Sequence, residues 1–194
     1  MLEVGKRHLE GGADSIISFG QGCEGEPTTA PDTIREAVLA MRRCTDKGTI
    51  NMNTNAGNTR AVELLCGAGL DSIRVSLISA REDVYKSYYR PRGYSLGNVG
   101  ESLRAASRLG VYTSLNLLVF PGLTDREEEV EALVSFIREN GVKLVQLRNL
   151  NIDPDYLFNN LPPARGEILG IKSFFDVLKS VPGIEIGNFS RPVR

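Results

Sequence analysis

Three stretches of this sequence combine residue types that can do chemistry with a spacing that can bring them together. The first is Ser18-Phe-Gly-Gln-Gly-Cys-Glu-Gly-Glu-Pro-Thr28. Gly20, Gly22 and Gly25 let the backbone take unusual angles and approach a ligand closely. The stretch is not a phosphate loop, because it lacks the Gly-Lys-Ser/Thr ending. It is not a dinucleotide fingerprint either, since Glu24 and Glu26 would repel a pyrophosphate. A Gly-Glu-Pro turn at a strand end is better suited to holding a cation such as an amino group. The plainer alternative is a strained strand-to-helix turn. The second stretch is Tyr88-Tyr-Arg-Pro-Arg-Gly-Tyr94. On a loop over a barrel mouth, Arg90 and Arg92 among three tyrosines could bind an anionic or aromatic substrate, or simply be solvated. The third is Asn149-Leu-Asn-Ile-Asp-Pro-Asp155. Asp153 and Asp155 could ligate a cation, but an Asx turn is the favoured reading.

Cysteine and histidine add little. Cys23, Cys44 and Cys66 lie roughly twenty residues apart, which is neither a metal-ligand spacing nor a disulfide framework. Cys44 and Cys66 read as small helix or core residues. Cys23, within the Gly-rich loop, is less easily dismissed. His8 is the only histidine and falls in the first helical pattern, where a surface position is expected.

Regular elements must position these stretches. β-rich runs occur at Ser15–Gly20, Thr49–Asn55, Ser72–Ser79, Val111–Phe120, Lys143–Asn151 and, more weakly, Gly183–Gly187. Helical patterns lie between them. Ile34, Val38 and Met41 follow Pro31, a good first-turn residue. Val62, Leu65 and Cys66 follow Asn58, a candidate N-cap. Val99, Leu103 and Ala106 form a third pattern. Thr124-Asp-Arg-Glu127 reads as a capping box before Val130, Leu133, Val134 and Ile137. Ile168, Ile171, Phe175 and Leu178 form the last. Alternating strands and helices imply βαβ units, and hence a parallel sheet with right-handed crossovers.

Side-chain parity chooses between the parallel architectures. Asn51, Asn53 and Asn55 alternate with Ile50, Met52 and Thr54. Arg74 and Ser76 alternate with Ile73, Val75 and Leu77, Ser114 and Asn116 with Thr113, Leu115 and Leu117, and Gln146 and Arg148 with Val145 and Leu147. Strand side chains alternate faces, so each strand has one apolar and one polar face. A doubly wound sheet, covered by helices on both sides, needs two apolar faces. The pattern therefore predicts a wholly or partly closed (β/α) barrel with a polar interior. Those polar side chains either satisfy one another or line a ligand cavity, and the cavity is the favoured reading.

Composition narrows the class. The chain has 194 residues, 41% hydrophobic and 24% charged, with a formal net charge of −1. That length suits one domain, residues 1–194, with a substantial core. The near-neutral charge gives no field for nucleic acid or an anionic membrane. No apolar run is long enough to span a bilayer and no signal-peptide pattern is visible, so a cytoplasmic location is the default expectation.

The motifs, in their order, resemble the radical S-adenosylmethionine (SAM) enzyme family. Glu24-Gly25-Glu26-Pro27 resembles that family's Gly-Gly-Glu-Pro motif, with Glu24 in place of the first Gly. Asn53-Thr54-Asn55-Ala56 resembles its Thr-Asn-Gly strand end. Arg74-Val-Ser-Leu-Ile-Ser79 resembles the strand bearing a ribose- or carboxylate-contacting residue. Phe120-Pro-Gly-Leu-Thr-Asp125 resembles the loop before its fifth helix. The resemblance covers roughly residues 13–155. It implies a partial (β/α) parallel barrel of the TIM-barrel-like type with its first strand missing.

It also implies SAM and a [4Fe–4S] cluster as cofactors, and a 5′-deoxyadenosyl radical directed at an unknown substrate. The cofactor-binding set it implies is Gly22, Glu24, Gly25, Glu26 and Pro27, then Asn53, Thr54 and Asn55, Ser76 and Ser79, Asn116, and Gln146 and Arg148. Arg90 and Arg92 would meet the substrate, and a reductant protein would be a partner of the intact enzyme. The family's Cys-x3-Cys-x2-Cys cluster loop is absent. The chain is therefore expected to be a fragment that is inactive alone. The alternative function is a non-catalytic binding or regulatory module.

Overall fold

The computed structural model describes residues 2–12, 14–22 and 24–194; Cys23 lies outside the described residues. Six strands form one sheet: β1 (Ile16–Phe19), β2 (Thr49–Thr54), β3 (Ser72–Leu77), β4 (Tyr112–Val119), β5 (Leu144–Asn149) and β6 (Glu185–Gly187). Their spatial order is their sequence order, and every neighbouring pair is parallel. With right-handed crossovers, such an order places the connecting helices on one side. The sheet is open, a partial barrel.

The helices are α1 (Leu2–Glu10), α2 (Pro31–Cys44), α3 (Thr59–Gly67), α4 (Glu82–Tyr89), α5 (Leu96–Arg108), α6 (Glu127–Glu139), α7 (Pro154–Asn160) and α8 (Ile171–Lys179). One apolar core joins them to the sheet. Ile50, Met52, Ile73, Val75, Leu77, Leu115, Leu117 and Val145 pack with Val38, Val62, Leu65, Val99, Leu103, Val130, Leu133 and Phe174. The opposite face carries the polar residues that strand parity assigns to it. A smaller core of Ile78, Val84, Leu123 and Leu157 joins α4 and α7 to the end of β4.

Three local expectations are corrected. Tyr88 and Tyr89 lie in α4, not in a loop, and pack edge to face. Arg90 ends that helix in a left-handed conformation. Thr124 and Glu127 form no capping box, because the N-cap of α6 is Arg126. The Thr124 hydroxyl instead accepts from Phe120 N at 2.9 Å, and Asp125 accepts from Gly122 N at 2.6 Å. The start of α6 is served from afar: Glu127 N donates to Glu167 O at 3.0 Å, and the Arg126 guanidinium donates to Gly166 O at 2.9 Å. Finally, α8 buries Phe174 and Leu178, while Ile168 lies before the helix and is exposed. Asn58 does cap α3, accepting from Ala61 N at 3.1 Å.

Candidate cofactor and substrate site

The Gly-Glu-Pro loop is fixed by one carboxylate. Glu26 Oε1 accepts from Thr28 N at 3.1 Å, Thr28 Oγ1 at 2.8 Å and Thr54 Oγ1 at 2.6 Å. Its Oε2 accepts from Asn55 N at 2.7 Å. The carboxylate thus clamps the loop after β1 to the end of β2, and its oxygens are committed to protein donors. Pro27 is buried beside Gly20, whose φ is +75°. A Cβ at Gly20 would overlap the Asn53 carbonyl oxygen and the Pro27 ring, so only glycine fits. Gly25, at φ +82°, remains exposed with Gly22 and Glu24.

The end of β2 turns just as tightly. Ala56 takes φ +55°, the left-handed conformation for which glycine is the natural choice. Alanine stands here at the glycine position of the Thr-Asn-Gly strand end and bears the left-handed strain that glycine would avoid. Ala56 N donates to Thr54 Oγ1 at 2.9 Å, and Gly57 N to Asn55 Oδ1 at 2.8 Å. Thr54 is buried and engaged on both sides, so its expected contact with a ligand is not available in this arrangement. Asn55 lines a cleft.

That cleft, of about 570 Å³, lies between the loop after β1, the loop after β2 and the start of α5. Glu26, Asn55, Asn58, Arg92, Tyr94 and Asn98 are among its lining residues. Asn98 escapes a sequence reading because its relation to the β2 end is purely tertiary. Arg92 therefore joins the Gly-Glu-Pro loop, whereas Arg90 lines a separate 260 Å³ cleft between α4 and α7. The two arginines do not act as a pair.

The polar sheet face divides into two halves. In its lower half the small polar side chains bond one another, while Arg74 Nε, Tyr112 OH and Gln146 Oε1 are buried without a partner. Asn51 donates to Ser18 and to Asn53 at 3.1 Å each, and Ser72 donates to Asn51 at 2.9 Å. The chain's last residues also cross this end. Gln146 Nε2 donates to Phe189 O at 2.5 Å, Arg74 donates to Ser190 Oγ at 2.5 Å, and Val193 N donates to Thr49 Oγ1 at 2.9 Å. Gln146 is 1% exposed under this strap. In the upper half Ser76, Asn116 and Arg148 are half-buried, and Asn116 Oδ1 is buried without a partner.

Ser79 is also withdrawn. It is buried, donates to Glu129 Oε2 at 2.5 Å and accepts from Arg81 N at 2.9 Å. Burial pushes the Glu129 carboxyl above its ordinary range, against the opposing pull of Ser79 and Arg81. Above the ordinary glutamate pKa the unfolded chain has released this proton while the folded chain holds part of it. Stability therefore falls as pH rises through the folded-state value. Glu129→Gln should remove that slope and raise the Tm at neutral pH. Thermal melts from pH 5 to 8 check this, and an unchanged slope would refute it.

The described cysteines do not form a metal centre. Cys44 is exposed on α2, and Cys66 is buried on α3, where burial pushes its thiol up to about 12. Among the described residues no three His, Cys, Asp or Glu side chains gather as a metal site. The residues here therefore do not fit a [4Fe–4S] cluster. His8 is exposed on α1, and its Nε2 donates to Ile16 O at 3.2 Å. Asp153 caps α7, accepting from Tyr156 N at 2.7 Å, as the Asx reading expects. No helix among the described residues is long and apolar enough to cross a membrane.

Known proteins agree with this architecture. Methylornithine synthase superimposes with a TM-score of 0.65 at 13% identity, over 95% of this chain and 53% of that one. A domain of pyruvate-formate lyase-activating enzyme from Bacteroides vulgatus gives 0.61 at 11% identity, over 88% and 96%. SuiB of Streptococcus suis bound to S-adenosylmethionine gives 0.56 at 15%, over 88% and 38%. In sequence, the chain is 29% identical to GTP 3′,8-cyclase of Streptomyces coelicolor over 136 residues, 68% of this chain and 38% of that protein. It is 22% identical over 163 residues to an uncharacterized protein of Methanocaldococcus jannaschii, 84% of this chain and 46% of that protein. The chain thus spans less than half the length of these curated relatives. The profile of the Radical SAM superfamily, whose members use SAM and a [4Fe–4S] cluster, matches residues 2–137, and the chain belongs to that superfamily.

Proposed function

We propose that this chain is the SAM- and substrate-binding part of a radical SAM enzyme. The observation that carries the reading is the clamp of Glu26 onto the end of β2. It brings Glu26, Thr28 and Asn55 together on one cleft at the carboxyl ends of parallel strands, where barrel enzymes place their sites, beside the exposed glycine-rich loop. Gly25 and its neighbours meet the methionine end of SAM, Glu26 orients that loop, and Asn55, Ser76 and Asn116 supply polar contacts. SAM together with its cluster supplies radical-initiating chemistry when both are bound. The cluster's cysteine ligands come from outside this chain, and a reductant protein serves the intact enzyme. The chain alone is inactive. A non-catalytic binding module is the second reading, favoured by the lack of a cluster site among the described residues.

Calorimetric titration of the chain with SAM tests the first reading. Saturable binding is expected, weakened about tenfold by Asn55→Ala or Ser76→Ala, the scale of one hydrogen bond. No saturation at millimolar SAM would remove it. Reconstitution with iron and sulfide should leave the chain colourless. Stoichiometric iron with absorbance near 400 nm would show that the cluster ligands are in this chain after all.

A further inference from the structure

The inner, polar face of the sheet carries an unbalanced charge. Register and parity place Ile16 and Ser18, Thr49, Asn51 and Asn53, Ser72, Arg74 and Ser76, Tyr112, Ser114, Asn116 and Leu118, Leu144, Gln146 and Arg148, and Glu185 and Gly187 on this face. Three of them are charged. Glu185 is paired with Arg191 of the terminal strap at 2.9 Å. Arg74 and Arg148 remain, and among the described residues neither makes an ion pair within 4.0 Å.

Their placement is specific. Arg74 pairs in register with Ser114 on β4, and Arg148 pairs with Leu118. They are two strands apart, about 10 Å, and offset along the strands by about 13 Å. The position midway between them is Asn116, whose Oδ1 is buried without a partner. Arg74 Nε is likewise buried without a partner. The two guanidiniums feel each other, because the charge of Arg148 lowers the pKa of Arg74 beyond the effect of burial. Two partly desolvated like charges beside orphaned polar atoms are unfavourable until an anion arrives. A structural strut would show a carboxylate partner; among the described residues neither arginine has one, and Arg74 donates only to the neutral Ser190 hydroxyl. SAM itself carries one carboxylate against an ammonium and a sulfonium, so it cannot neutralise both arginines.

We propose that Arg74 and Arg148, with Asn116 between them, bind the oxyanion group of the substrate, a phosphate or a carboxylate. Arginine suits this task because its planar fork of donors matches such groups in bidentate fashion. Asn116 Oδ1 would then accept from a hydroxyl or amino group on the same substrate. The assignment to substrate, as opposed to any anion, rests on the radical SAM reading above.

Titration of the full chain at constant ionic strength, with chloride as the balancing salt, tests it. The probes are pyrophosphate, succinate and, separately, SAM. Saturable binding of pyrophosphate or succinate is expected, and the tighter of the two identifies the oxyanion class. Arg74→Met and Arg148→Met should each weaken that binding about tenfold. Arg148→Lys should restore part of it, and Arg60→Met, on the outer helix α3, should have no effect. SAM affinity should change less than twofold in all four variants. Circular dichroism and Tm confirm that each variant is folded. Anion affinity unchanged in both methionine variants would overturn the proposal. So would a tenfold loss of SAM affinity in Arg148→Met with no saturable anion binding, which would assign the arginine to the cofactor and leave the SAM reading intact. Anion binding that needs both arginines in a chain that binds no SAM would uphold the subsite and remove the SAM reading.

Discussion

Replacing Asp71 with alanine is expected to destabilise the chain by about 3–5 kcal/mol, the scale for stranding a buried charge. Asp71 is 8% exposed at the entrance to β3. Its Oδ2 accepts from Ile50 N at 2.7 Å and from the Arg42 guanidinium, and its Oδ1 accepts from Arg194 Nε at 2.5 Å. Arg42 also donates from Nε to Gly69 O at 3.1 Å and from its terminal nitrogens to Gly48 O at 3.3 Å. One carboxylate therefore ties α2, the start of β2, the start of β3 and the chain's last residue together. Its removal leaves Arg42 largely enclosed by carbonyls, with only Asp46 left as a countercharge. Asp71→Asn should lose less, because an amide oxygen can still accept from Ile50 N. Urea melts measure both. A loss under about 1 kcal/mol for the alanine variant would show that Arg42 finds solvent, and that the cluster is a surface feature. SAM affinity should survive in the folded fraction, since Asp71 lies at the opposite strand end from the cleft.

Glu26→Ala should produce the second large effect, a loss of about 3 kcal/mol together with weakened SAM binding. Four hydrogen bonds converge on the carboxylate, and those to a charged acceptor contribute about 1.5–3 kcal/mol each before non-additivity. The alanine variant leaves Asn55 N without its acceptor and frees the loop that the cleft requires. Glu26→Gln is a sharper probe. Its amide oxygen can still serve Thr28 and Thr54, but its NH₂ then faces the Asn55 N–H, so one of the two contacts must fail. Parallel urea melts and SAM titrations separate a clamp from a direct ligand. Full stability with abolished SAM binding would mean that Glu26 contacts the cofactor itself, and the clamp account would be wrong.

Much of this protein is legible in its sequence because the relevant physics is local. Strand parity is a property of consecutive residues, so Ile73, Val75 and Leu77 against Arg74 and Ser76 already place one apolar and one polar face. Four runs of that kind, punctuated by helical patterns, leave a parallel sheet with helices on one side as the consistent arrangement. The order of the Gly-Glu-Pro, Asn-Thr-Asn-Ala and Pro-Gly segments is likewise read directly, since such turns draw on particular residue types.

What the side chains do in those places was decided by tertiary structure. Glu26 ties the loop to the end of β2, because Thr54 and Asn55 reach it from 28 and 29 residues away. Ser79 is claimed by Glu129, 50 residues on, and Gln146 by a carbonyl 43 residues on. Thr124 and Glu127 fit a capping pattern, yet the turn at Phe120 and the strand-like contact of residues 166–168 took those roles first. A polar side chain has several acceptable partners, and sequence lists the candidates without ranking them. Chain closure brings one partner within reach and leaves the others out, which is why the polar face could be read from sequence while the pairing of Asn51 with Ser18, Asn53 and Ser72, and the lack of a partner for Asn116 Oδ1, could not.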